Sequence, residues 1–142
     1  MISLLTLLVS ALMTLTTAQE PVQSVELTLQ TRGVHKSIRV TPKQTLIDVN
    51  GKHHQQATKP ARWKSILAAL KPVELAQMAS LPADVSRSSV DAALMAHVSV
   101  TTASQTYESV TYDHPSAPKA LAPLVKAIIG SAPTASQTQF RR

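Results

Sequence analysis

Cysteine is missing from this chain altogether, and that gap removes several chemistries at once. Disulfide cross-links, thiolate nucleophiles, zinc–thiolate centres and lipid attachment through a cysteine are all excluded. Aromatic side chains are nearly as scarce, with one tryptophan, two tyrosines and one phenylalanine. Single-stranded nucleic acid is held on clustered aromatic platforms, and the basic part of this sequence carries Trp63 alone. With three glycines in total, there is no glycine-rich loop to cradle a phosphate and no glycine-framed nucleophile elbow.

Long apolar runs are confined to the N-terminus. Residues 1–18, MISLLTLLVSALMTLTTA, hold no charged side chain, and Ile2 to Leu15 is almost continuously apolar. A membrane-spanning helix needs about 20 such residues, so this run is too short. It has the form of a secretory signal, with small Thr16 and Ala18 ahead of a polar stretch. The expectation is cleavage after Ala18 and export to the periplasm or the medium. Residues 19–130 then form one soluble domain, and residues 131–142, which show no apolar period, form a flexible tail. Removing everything after Gly130 should cost almost no stability.

Charge is present, and it is unevenly placed. The formal net charge is +6. Between residues 32 and 71 stand Arg32, Lys36, Arg39, Lys43, Lys52, Lys59, Arg62, Lys64 and Lys71 against the single acid Asp48. Residues 72–142 are balanced. A basic stretch attracts anionic partners, and an anionic envelope component meeting Arg32, Lys36, Arg39 and Lys43 is the partner this pattern suggests. Nucleic acid is not expected, for want of aromatics and because the chain is expected to be exported. The simpler role for the charge is a solvated face that keeps the protein in solution.

Periodicity supplies the elements. Val25, Leu27 and Leu29 alternate with polar residues, as do Ile38 and Val40 after Arg32-Gly33, which is the pattern of half-buried strands. Thr45 to Val49 is a third strand, and Asn50-Gly51 is a hairpin signal returning through a polar edge strand, Lys52 to Ala57. From Pro60 the period becomes helical, with Trp63, Ile66, Leu67 and Leu70 on one face and Pro72 ending the run. Val73 to Ala79 reads as a short second helical turn. Alternation returns at Leu94, Ala96, Val98 and Val100, and a turn at Ala103 to Gln105 leads into a strand from Thr106 to Tyr112. Leu121, Leu124, Val125 and Ile128 mark a last helix starting near Pro118, with Gly130 as its left-handed cap. The fold class that follows is α+β: an antiparallel sheet of five to six strands with two amphipathic helices packed on one face.

Four stretches, TRGVHKSIRV, RWKSILAAL, LPADVSRSSVDAALMAHVSV and TYESVTYDHPSAPKALAPLVKAI, together resemble a group of small exported bacterial proteins of uncharacterised function. The shared pattern is Arg32-Gly33 after the first strand, Trp63 opening the helix, the Arg87 and Asp91 loop, and Tyr107-x-Ser109 running into Asp113-His114. The chain departs from it at Ala92 and at Pro115-Ser116, where glycine is usual. The resemblance implies export and an α+β fold, and it implies no activity.

Arg87, Asp91, Asp113 and His114 are the candidates for a polar site, since a hairpin turning near Ala103 would bring all four to one end of the sheet. A carboxylate beside histidine can orient a general base, and arginine can clamp an anion. No nucleophile or ligand triad accompanies them. Their structural role would be a staple at the corner, with Asp113 or His114 capping the turn into the last helix. No cofactor or metal is expected. His53 and His54, being adjacent on a strand, point to opposite faces. Two functions of different class follow: an exported domain that binds or braces without chemistry, and, as the alternative, a hydrolase-like enzyme built on the Asp113-His114 corner.

Overall fold

A computed structural model describes residues 20–86 and 93–141; the expected signal segment, Arg87 and Asp91 lie outside these residues. Four strands come first: β1 (Val22–Thr31), β2 (Val34–Val40), β3 (Gln44–Val49) and β4 (Lys52–Ala57). Helix α1 (Pro60–Leu70) and a 3₁₀ turn (Leu75–Ser80) follow, then β5 (Met95–Thr102), β6 (Thr106–Glu108) and β7 (Tyr112–Asp113). Helix α2 (Ala122–Ser131), the single turn α3 (Thr134–Gln137) and a closing 3₁₀ turn (Thr138–Phe140) complete the order.

The strands form one antiparallel sheet in the order β4-β3-β2-β1-β5-β6, with β7 also paired to β5. The first and fifth strands are thus central neighbours, and register sets Val25 against both Val40 and Val100. Side chains alternate across the pleat, so Val25, Leu27, Leu29, Ile38, Val40, Ile47, Ala96, Val98 and Val100 all reach one buried face. Helix α2 covers that face over β1 and β2, and α1 packs beside α2. The opposite face carries Glu26, Ser37, Arg39, His97 and Ser99. This is the expected α+β layer.

Turn chemistry explains the first hairpins. Asn50 and Gly51 both have positive φ, 52° and 85°, the two-residue turn whose twist matches a hairpin. The Asn50 side chain also accepts the His35 backbone N–H at 2.8 Å. Strand β4 lies at the sheet edge and is largely exposed, as its polar sequence requires.

Four local expectations are corrected. The late strand is two strands, because Ser109 interrupts the ladder: its Oγ accepts the Val98 N–H at 2.8 Å and donates to the Val110 carbonyl at 2.9 Å. The Val110 N–H turns away to the Met78 carbonyl. The last helix begins at Ala122 instead of Pro118, because Pro123 fits only the first turn, where a missing N–H costs nothing. Gly130 is not a left-handed cap. It lies inside α2, and the helix ends because Pro133 holds Ala132 extended (φ −77°, ψ 156°). Finally, Leu67 is 37 % exposed, and the buried pair on α1 is Ile66 and Leu70.

The segment read as a free tail is docked. Phe140 is fully buried, Gln137 donates to the Ala132 carbonyl at 2.9 Å, and Lys36 of β2 donates to the Gln139 carbonyl at 2.9 Å. A single phenylalanine has no period, so periodicity could not detect it.

Candidate functional site

Strand β7 carries the corner to the end of the sheet. The Asp113 N–H donates to the Asp84 carbonyl at 2.7 Å and the His114 N–H to the Leu94 carbonyl at 2.8 Å. Both residues are buried, with 3 % and 8 % of their surface exposed. The His114–Pro115 peptide is cis, and the Asp113 carbonyl accepts the Ser116 N–H at 2.7 Å, closing a tight turn. Neither residue caps α2. The helix starts eight positions after His114, its N-cap is Leu121, and no side chain bonds its free N–H groups. Three prolines, at 115, 118 and 123, account for the delay.

The two neighbours part company here. His114 lines a cleft of about 430 Å³ between the corner, α2 and the docked C-terminal segment. Asp113 does not line it. Pro115 and Ala117 form one wall, Val125 and Ile129 of α2 the floor, and Phe140 the far side, while Lys126 and Arg141 stand at the mouth. Both residues at the mouth are exposed. The volume falls within the range of small-molecule sites, roughly 300–1,000 Å³.

The His114 ring sits in this apolar frame with both nitrogens buried and without a hydrogen-bond partner. Burial pushes its pKa below the ordinary histidine range, and the charge of nearby Lys36 pushes it the same way. The nearby Phe140 backbone pulls in the opposite direction. The imidazole is therefore neutral at physiological pH, and an uncharged ring suits an apolar cleft. Among the described residues, no serine, threonine or carboxylate lines the cleft with it. Among the described residues, no three His, Asp or Glu side chains gather closely enough to hold a metal ion.

The four basic residues expected to meet an anionic partner do not form a patch. Arg32 lies in the β1–β2 turn and Lys43 in the β2–β3 turn, at opposite ends of β2. Lys36 and Arg39 sit on opposite faces of that strand, and Arg39 stands directly across from Glu26. Only Lys36 reaches the cleft's surroundings. Positive charge gathers instead on the helical layer. Residues 58–73 and 114–141 contain no acid, and they bring Lys59, Arg62, Lys64, Lys71, Lys119, Lys126 and Arg141. A second groove between α1, α2 and α3, about 590 Å³, is lined by Arg62, Lys126 and Arg141 and, among the described residues, by no carboxylate.

Sequence reading located His114 but missed the walls of its cleft. The available signals were Ile129, which widens the apolar face of α2 beyond one stripe, and the lone phenylalanine at position 140. Comparison with known protein families, characterised proteins and solved structures finds no match to this chain.

Proposed function

We propose that this chain is an exported binding domain that takes an apolar group of a small ligand into the His114 cleft, without performing chemistry on it. The observation that carries this reading is the composition of the cleft: a mostly apolar lining, one neutral imidazole and, among the described residues, no serine, threonine or carboxylate in that lining. A hydrolase usually sets its base beside a nucleophile and orients it with a third group, and among the described residues no nucleophile lines the cleft with His114. Export rests on residues 1–18 and on the resemblance to small exported bacterial proteins.

Titration with an uncharged solvatochromic dye such as Nile red tests the reading. The expected result is saturable one-site binding that Ala122→Trp abolishes, because Ala122 lines the cleft and is exposed, so the indole fills the space without disturbing the core. Binding that Ala122→Trp leaves intact would overturn the assignment. So would turnover of a chromogenic ester that is lost in His114→Ala, which would establish the hydrolase alternative.

A further inference from the structure

We infer that the ligand of the His114 cleft is an acyl carboxylate, its chain lying inside against Val125, Ile129 and Phe140 and its carboxylate at the mouth between Lys126 and Arg141. The inference rests on the binding reading above and adds the ligand's chemistry. Three observations lead to it.

The first is the division of character within the site. Its interior is apolar, and both polar groups at its mouth are cations. A ligand matched to it has an apolar body and one anionic end. The second is that the positive charge there is uncompensated in sequence and in space. No acid occurs from residue 114 onward, and among the described residues no carboxylate lines either the cleft or the groove that shares Lys126 and Arg141. The Arg141 guanidinium donates to the neutral amide oxygen of Gln137 at 2.7 Å, which orients it without cancelling its charge. A cationic ligand would be repelled, and an uncharged one would forgo the attraction.

The third observation concerns His114. Its ring is more than nine-tenths buried, lines the cleft and has no partner on either nitrogen. Among the described residues, the charged groups around it are Lys36 from β2, Lys126 from α2 and Arg141 from the C-terminal segment, with the buried Asp113 carboxylate next to it in the chain but outside the cleft lining. An anion entering the mouth therefore meets two exposed cations and an uncharged, mostly apolar lining. The volume separates the possible sources of such an anion. A cleft of about 430 Å³ has room for one short acyl chain and not for the paired long chains of a phospholipid, so a free fatty acid of medium length is the occupant.

Isothermal titration of the folded chain with decanoate, decanol and decylamine at low and moderate salt tests this. Decanoate should bind about tenfold more tightly than decanol, the decylammonium ion should bind most weakly, and salt should weaken only the decanoate complex toward the decanol value. Lys126→Gln and Arg141→Gln should each weaken decanoate about two- to fivefold, as exposed ion pairs do, and leave decanol unchanged. Thermal melts identical to the parent would show that neither variant disturbs the docked segment. Decanol binding as tightly as decanoate would overturn the inference while leaving the binding reading intact. Failure of both ligands to bind would overturn both. Tight binding of dianionic lipid vesicles with no response to decanoate would assign the basic mouth to a membrane surface and sink the fatty-acid proposal.

Discussion

His114 and Tyr112 bracket Asp113, and each buries polar atoms that no group among the described residues satisfies. Such atoms cost stability, typically about 1–3 kcal/mol each. For Tyr112, fully buried on the core face opposite Ala96, burial drives the phenol's pKa far above its ordinary value. Tyr112→Phe keeps the ring and removes the unpaired hydroxyl, so it should leave chemical-denaturation stability unchanged or raise it by up to about 1 kcal/mol. For His114 the consequence is a dependence on pH. The folded imidazole releases its proton more readily than the unfolded one, whose pKa is near 6.5. The unfolded chain therefore binds more protons as pH falls through the window between 6.5 and the lower folded value. Stability is full above that window and declines through it. Urea midpoints measured from pH 8 downward should show this decline, and His114→Leu should flatten it. The carboxylates of Glu20, held low by bonds from Ser104 and Thr102, and of Asp84, held low by the Ser86 N–H, titrate only at more acid pH. A decline unchanged in His114→Leu would place its source elsewhere.

At the level of elements, the helices separate what periodicity reveals from what it hides. On α1 the repeat Trp63, Ile66, Leu67 and Leu70 gave the helix and its register, but a stripe four residues wide does not say which edge meets solvent. Ile66→Ala should cost about 2–5 kcal/mol, whereas Leu67→Ala, at a position 37 % exposed, should cost well under that. Equal losses in denaturation would mean that α1 is rotated. On α2, Gly130 sits in ordinary helical conformation, and a methyl group there would meet only Arg62 Nη1 at 3.5 Å, an ordinary contact. Gly130→Ala should therefore stabilise by about 0.5–1 kcal/mol, where a left-handed cap would have been strained and weakened. Phe140→Ala should cost about 3–5 kcal/mol, and truncation after Gly130 should be clearly destabilising, because it removes the far wall of the cleft. Both are read from thermal or chemical unfolding.

Across the whole molecule, the strands and the hairpin turns were legible because alternation and Asn50-Gly51 act locally. The strand order was not, since nothing near Val25 states that its partner is Val100. The candidate site was half legible. Asp113 and His114 stand out as adjacent titratable residues, yet their separation into a buried corner and a cleft wall depends on where three prolines let α2 begin. If residues 1–18 are removed as a signal, intact-mass measurement of secreted protein should show a chain beginning at Gln19. A mass that retains those residues would refute the signal.

The central position of β1 has a consequence for unfinished or clipped chains. Its flank against β5 is supplied by residues 95–102, roughly half the sequence later. Any polypeptide cut short before Met95 would leave Val25, Leu27 and Leu29 on a strand whose backbone donors and acceptors have nothing to pair with on one side. Such a fragment is sticky in the way bare sheet edges are, and its easiest remedy is a second fragment like itself. Aborted products and proteolytic pieces of this protein should thus accumulate as insoluble ribbons, while the full chain, with its most adhesive strand walled in on both flanks, stays dispersed.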